Sequence, residues 1–214
     1  MTHIENIKKL FSKNFVENPL LETYEAGEIY ISSGFIVASD PLISPDHSAF
    51  QQEFPKGHFP VHIYKETDSN CVAYCEIVFD KNQLAENWKL ALCEGQNLKD
   101  LKNEEIYGYL VESGMGSFMD KDAQKSLNQL EKELFDQKGD DFMGIYEAFF
   151  HSHFFDENGA IDQFAVLKPY EQKSENMVAF ETGYGEGFYA SYIGYSKDNQ
   201  VVKLISEFIE IGMD

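Results

Sequence analysis

The chain has 214 residues and a formal net charge of −20, from 37 acidic against 17 basic side chains. Every basic residue is lysine, so the sequence lacks the arginine that usually reads phosphate and guanine, and its negative charge repels nucleic acids and acidic membrane surfaces. The acidity has two interpretations: it keeps the protein soluble, which we consider the stronger one, or it attracts a basic protein partner. Neither a nucleic acid nor a membrane is expected as a partner.

The length predicts one domain over residues 1–214. With 43% hydrophobic and 14% aromatic residues, such a chain buries a core without needing disulfides or a metal. The three cysteines, Cys71, Cys75 and Cys93, are too few and odd in number for a disulfide framework, which favours a reducing compartment. Neither a signal peptide pattern nor an apolar run of roughly 18 residues is found, so we expect a cytoplasmic protein.

The first 18 residues predict a helix. Apolar side chains recur at helical spacing over residues 2–16, and Thr2 and Glu5 have the spacing of a capping box.

Strands are predicted next, over residues 25–112. Residues 28–32 and 35–38 flank Ser33-Gly34, a pattern typical of a β-hairpin. The other strands of this group are predicted at residues 61–65, 72–79, 88–92 and 106–111.

A central helical pair is predicted over residues 120–155. Asp120 is a favourable N-cap for the first helix, and Gly139 suits its C-terminus. Asp140 or Asp141 is expected to cap the second helix, which carries many aromatic residues.

Strands return over residues 163–210. They are predicted at residues 163–167, 177–181, 188–195 and 201–209. Because hairpins connect most neighbouring strands, the sequence predicts an α+β fold with a largely antiparallel β-sheet. We expect this sheet to be sandwich-like or strongly curved, with an N-terminal helix and a central helical pair.

Three segments, in this order, resemble a known family. They are SGFIVASDPL (33–42), VESGMGSFMD (111–120) and ETGYGEGFYASYIGY (181–195). With them, residues 25–214 resemble a bacterial family catalogued as domain of unknown function 4241, although Tyr184 stands where the family favours Trp and Glu186 where it favours Asp. The family has no assigned activity. Some members look like partners encoded beside bacterial toxins, so the resemblance implies an immunity-type role.

Four residues of these segments are candidates for a ligand or partner site: Asp40, Asp120, Tyr184 and Glu186. Clustered carboxylates could bind a hard cation or perform acid–base chemistry. Each aspartate also has a structural role, because Asp40 precedes a proline in a turn and Asp120 caps a helix. We consider these structural roles the stronger interpretation.

The glycine-rich segments 113–117 and 183–187 are open to two interpretations. A phosphate-binding loop needs a helix N-terminus after it, whereas the second segment is followed by a strand. Turns are therefore favoured, and the sequence leaves open whether the two segments form a site. His151 and His153 lack the three- or four-residue spacing of helical zinc ligands, so we expect neither a metal nor a cofactor.

The leading hypothesis is a non-enzymatic protein-binding module of toxin-immunity type, whose partner is a basic protein such as a toxin. The alternative is a metal-assisted hydrolase, which requires Asp40, Asp120 and Glu186 to converge in one pocket. A third possibility is a small-molecule-binding or scaffold module with an apolar cavity. Each hypothesis is compatible with a monomer or an oligomer.

Overall fold

The structure is a computed structural model that describes residues 2–43, 46–102 and 105–212. Helices are α1 (His3–Phe11), α2 (Lys121–Lys138) and α3 (His151–Phe154), with a π-helical turn at Tyr146–Phe150 and 3-10 turns at Leu98–Asp100 and Gly139–Asp141. Strands are β1 (Leu21–Ile31), β2 (Ile36–Ser39), β3 (Gly57–Glu66), β4 (Val72–Val78), β5 (Asn87–Leu90), β6 (Tyr109–Val111), β7 (Met115–Asp120), β8 (Phe155–Asp156), β9 (Gly159–Ala160), β10 (Phe164–Leu167), β11 (Met177–Glu181), β12 (Gly187–Tyr189), β13 (Ser191–Tyr195) and β14 (Val201–Glu207).

Two large sheets form the centre of the fold. A six-stranded sheet has the order β1-β3-β4-β14-β13-β5, and a four-stranded sheet has the order β10-β11-β7-β2. Two small ribbons pair β6 with β12 and β8 with β9. All of these pairs are antiparallel. The predicted α+β fold with largely antiparallel sheets is therefore confirmed.

Apolar side chains of both large sheets fill the space between them, with Ile63 and Ile77 on one side and Phe118 and Phe180 on the other. Alternate residues of each strand point to the opposite face, where helices cover them. On the six-stranded sheet, Phe11 of α1 lies edge-on against Tyr64 and Tyr74. The outer face of the four-stranded sheet packs against α2 and α3, through residues that include Leu127 and Phe154. The result is a helix–sheet–sheet–helix sandwich.

A buried charge network lies on the α1 side of the six-stranded sheet. Lys203 and Glu76 are each 1% exposed, and the Lys203 Nζ lies 2.7 Å from the Glu76 Oε1. The other oxygen of Glu76 accepts a 2.5 Å bond from the Tyr64 hydroxyl and lies 3.1 Å from the His62 Nδ1. Burial would raise the pKa of Glu76, but the His62 hydrogen bond and the Lys203 charge outweigh it and hold that pKa below its ordinary value.

The capping box at Thr2 and Glu5 is confirmed, but α1 ends at Phe11 rather than at residue 16. The carbonyl oxygen of Lys13 accepts a 2.8 Å bond from the buried Lys203 Nζ instead of a helical N–H. Lys13 thus lies beyond the end of the helix, where this tertiary contact fixes its carbonyl group. Phe15, within the predicted helix, is 58% exposed.

The predicted hairpin around Ser33-Gly34 is wrong. β1 pairs with β3 in the six-stranded sheet, whereas β2 pairs with β7 in the four-stranded one. Residues 32–35 therefore cross from one sheet to the other, because Ile31 and Ile36 both face the core between the sheets.

Two other predicted elements have different boundaries in the structure. The second helical segment begins at Ile145, after Gly144 with its φ of +102°, and not at a cap on Asp140 or Asp141. The predicted strand 188–195 is divided at Ala190 into β12 and β13, which belong to different sheets. Among the described residues, no helix is long and apolar enough to cross a membrane.

Candidate functional site

Asp120 holds the corner at which the chain passes between the sheets. Its carboxylate is fully buried and accepts a 2.8 Å bond from the backbone N–H of Asp122, which caps α2. It also accepts bonds of 2.9–3.0 Å from the Ser32 hydroxyl and from the backbone N–H and hydroxyl of Ser33. These hydrogen bonds occupy both oxygens, so Asp120 acts as a structural anchor.

Asp40 is a second buried anchor, at the opposite end of β2. One oxygen accepts from the backbone N–H groups of Leu42 (2.9 Å) and Ile43 (3.2 Å). The other accepts from those of Glu112 (3.0 Å) and Ser113 (2.8 Å). Asp40 thereby ties the loop after β2 to the loop before β7.

The two glycine-rich segments meet in space. The carbonyl oxygen of Gly114 accepts from the backbone N–H (3.0 Å) and the hydroxyl (3.1 Å) of Thr182. Gly114 has a φ of +78° and Gly185 a φ of +108°, and a side-chain carbon at Gly114 would lie 3.7 Å from the Gly185 Cα. Both positions therefore favour glycine for its backbone conformation. The Tyr189 hydroxyl holds the second loop by donating a 2.8 Å bond to the Gly185 carbonyl.

These loops form one side of a cleft of about 560 Å³. Apolar side chains contribute to its wall, among them Leu42, Met115, Tyr146 and Phe154. Tyr184 stands at the cleft with 74% of its surface exposed. The three segments that carry the family resemblance thus converge here, because Asp40 ties the first to the second, and Thr182 bonds the second to the third.

The charge around the cleft is negative. Glu181 lines it, and none of the described residues that line it is basic. The Tyr184 hydroxyl donates a 3.3 Å bond to Glu66, whose charge raises the pKa of that tyrosine. Glu112 and Glu186, which belong to the two loops, are exposed.

The four candidate residues do not form one cluster. Tyr184 lines the cleft, Glu186 lies exposed two residues further along, and Asp40 supports the loops from below. Asp120 lies at the far end of β2, opposite Ile36, and is not among the described residues that line the cleft. The described residues contain no group of three or more His, Cys, Asp or Glu side chains that could hold a metal ion. The hydrolase alternative, which requires three convergent carboxylates, therefore has no geometric support.

Sequence reasoning missed several residues of the cleft. Leu42 and Cys71 lie beside it, and Cys71 follows the turn between β3 and β4, far from the other lining residues in sequence. The one local signal is the dense aromatic run Phe149–Phe155. Phe154 and Phe155 of that run do line the cleft.

Comparison with known proteins complements this geometry. No curated protein and no solved structure matches the chain. The family described as "Protein of unknown function (DUF4241)" matches residues 29–206, a stretch that includes all three segments around the cleft. The chain therefore belongs to the DUF4241 family.

Proposed function

We propose that the chain is a non-enzymatic protein-binding module of toxin-immunity type, which binds a basic partner in the cytoplasm. The cleft beside Tyr184 is the central part of the proposed interface. Asp40 fixes the loops, Tyr184 supplies the aromatic contact, and Glu186 belongs to the acidic rim.

The observation that carries the proposal is the exposure of Tyr184 on a restrained loop. Water contacts 74% of the surface of Tyr184. Binding of a partner that covered the apolar part of this surface would be stabilised by removing it from water. The loop on either side of it is held by Thr182 and Tyr189, so little flexibility is lost on binding. Tyrosines in such positions are enriched among the residues that dominate interface energetics.

The charge of the protein favours a basic partner. Glu181 lines the cleft, Glu66 accepts a bond from Tyr184, and Glu112 and Glu186 are exposed in the loops beside it. The whole chain has a formal charge of −20. Complementary charge raises association rates and makes them depend on ionic strength. The family resemblance implies a toxin encoded beside the gene, and the charge of this chain favours a basic one.

The test is a pull-down with the tagged protein at low salt, followed by titration calorimetry with the purified partner. The product of the neighbouring gene is tested in the same way. We expect one basic protein to be retained, and its affinity to fall as salt is added. An empty pull-down together with no binding to the neighbouring gene's product would contradict the proposal.

Replacement of Tyr184 by alanine should weaken partner binding by at least about 2 kcal/mol, or roughly 30-fold, because aromatic anchors carry much of an interface's energy. Phe135→Ala is the matched control, because Phe135 is 57% exposed on α2, outside the cleft. Calorimetry on both variants measures the difference. Equal affinities for Y184A and F135A would place the interface elsewhere.

A second candidate function is supported by the apolar wall of the cleft. Leu42, Met115 and Phe154 would suit a small apolar molecule, since ligand sites are concave and mostly apolar. Mass spectrometry of the solvent extract of denatured, purified protein distinguishes the two. A stoichiometric small molecule favours this candidate, and its absence together with a retained basic protein favours the binding module.

A further inference from the structure

A second cavity, of about 480 Å³, lies on the α1 side of the six-stranded sheet. It is lined by His3, the first residue of α1, by Glu207 and Glu210 near the end of β14, and by Tyr192 of β13. Phe188 of β12 adds an aromatic wall that is 52% exposed. None of the described lining residues is a lysine.

The carboxylates of this cavity are incompletely compensated. The His3 ring lies 2.8 Å from Glu207 through Nδ1 and 3.2 Å from Glu210 through Nε2. The Glu207 side chain is only 5% exposed, and its other oxygen accepts a 3.4 Å bond from the Tyr74 hydroxyl. Its burial raises the pKa of Glu207 even though the contact with His3 acts in the opposite direction. A further cation beside this buried carboxylate would stabilise its ionised form.

A buried hydroxyl group of this cavity also lacks a hydrogen-bond partner. Tyr192 is 1% exposed, and its hydroxyl has no hydrogen-bond partner among the described residues. Tyr192 lines the same cavity as Glu207 and Glu210. Burial, and then the charges of these two carboxylates, raise the pKa of Tyr192. Buried hydroxyl groups are normally paired, so a ligand in the cavity that Tyr192 lines could supply the missing hydrogen-bond partner.

We propose that this cavity binds a primary ammonium group. Glu207, Glu210 and the Tyr192 oxygen offer three acceptor groups, which matches the three N–H donors of an ammonium. The aromatic ring of Phe188 provides a wall for the alkyl stem and a face that attracts the charge. An anion is excluded by the two glutamates. This proposal does not depend on the proposed partner, because the described residues that line this cavity and those that line the cleft beside Tyr184 do not overlap.

The test is a titration of the full chain with n-butylammonium chloride, followed by amide NMR. We expect saturable shifts at the lining residues with a dissociation constant of about 1–10 mM, as is reasonable for a ligand of so few atoms. Sodium chloride at equal ionic strength and n-butanol, which has the same stem without the charge, are the controls. Neither should reproduce the shifts.

Two variants test the acceptors. Glu207→Gln and Tyr192→Phe should each weaken butylammonium binding about tenfold, because each removes one acceptor of a charged donor. Glu157→Gln, an exposed glutamate between β8 and β9, should leave it unchanged. Tyr192→Phe keeps the ring that packs in the core and removes only the unpaired hydroxyl.

The Glu207→Gln variant is expected to fold at least as stably as the parent at pH 7. The pKa of Glu207 is raised in the folded protein. Its protonated form therefore stabilises the fold at pH values below its ordinary pKa, and this stabilisation is lost as pH rises through the folded pKa. A neutral glutamine avoids the cost of the buried charge. Urea denaturation at pH 5 and pH 7 measures this, and a marked loss of stability in the variant at pH 7 would show that the ionised carboxylate is well compensated.

A blocked lysine, N-acetyl-lysine methylamide, separates two sources of the ammonium group. Binding at least tenfold tighter than butylammonium supports a lysine side chain of a protein, and equal binding supports a free amine. The proposal is overturned if wild type shows no saturable shift, if n-butanol gives the same shifts, or if both variants bind as the parent does.

Discussion

Replacing Asp40 by alanine is expected to lower the free energy of unfolding by at least about 3 kcal/mol, since several buried backbone donors lose their acceptor. The carboxylate is fully buried and accepts from the N–H groups of Leu42, Ile43, Glu112 and Ser113. No other described side chain bonds to these four groups. Urea denaturation of the variant and the parent measures the difference.

Asp156→Ala is the matched control for this change. Asp156 is exposed and accepts one backbone bond, from Asn158, so its loss should cost less than about 1 kcal/mol. Hydrogen exchange adds a local readout, because the amides of Glu112 and Ser113 should exchange faster in D40A, even where the rest of the sheet stays protected. Unchanged stability and unchanged exchange would show that Asp40 does not hold the loops.

Replacing Lys203 by methionine is expected to lower the free energy of unfolding by about 3–5 kcal/mol, because it leaves Glu76 buried without its cation. Methionine matches the lysine stem in size, so the loss reports the charge and the hydrogen bond to the Lys13 carbonyl oxygen rather than a cavity. Lys125→Met is the control, because Lys125 forms an exposed pair with Asp122, and such pairs contribute about 0–1 kcal/mol. Chemical denaturation at pH 7 measures both.

A double variant shows whether the charges act as a pair. Adding Glu76→Gln to Lys203→Met removes the unpaired charge, so the double variant should be more stable than K203M alone, with a coupling of roughly 0.5–3 kcal/mol. Strictly additive losses would mean that the two side chains do not interact.

The same pair predicts a pH dependence. The pKa of Glu76 is held below its ordinary value of 4.5, so its contribution to folding is complete above that value and is lost as pH falls through the lowered pKa. The stability difference between the parent and K203M should therefore shrink as pH is lowered below about 4.5. A difference that stays constant down to pH 3 would contradict the role of Glu76.

Elements with local signals were predictable from the sequence. Thr2 with Glu5 and Asp120 mark the starts of α1 and α2 by side chains that bond the first helical N–H groups. Residues 177–181 form a short apolar run that ends at Glu181, and β11 has the same bounds. In each case, the group that fixes the element lies within a few residues of it.

The wrong predictions depend on contacts between distant residues. Lys203 binds the carbonyl oxygen of Lys13, just beyond the end of α1, from a position 190 residues away in sequence. The pattern around Ser33-Gly34 is typical of a hairpin, but its flanking strands belong to different sheets. At this corner the backbone N–H of Ser33 donates to the carboxylate of Asp120, 87 residues away in sequence. Periodicity shows which residues are buried, and it does not show against which sheet they pack.

The candidate site was predictable only in part. The glycine loops and Tyr184 were recognised from the family-like segments, and the structure brings both loops to one cleft. The apolar wall from Leu42, Tyr146 and Phe154 was not foreseen, because its residues come from three separate parts of the chain.

The most direct test of the proposed interface is photo-cross-linking from position 184. A benzoylphenylalanine replaces Tyr184 in one variant and Phe135 in another, and both are illuminated in living cells. We predict one adduct with a basic protein from position 184 alone, and this protein, once purified, should bind the parent with an affinity that falls with added salt. No adduct at position 184, or the same adduct from both positions, would contradict a partner-binding role for the cleft.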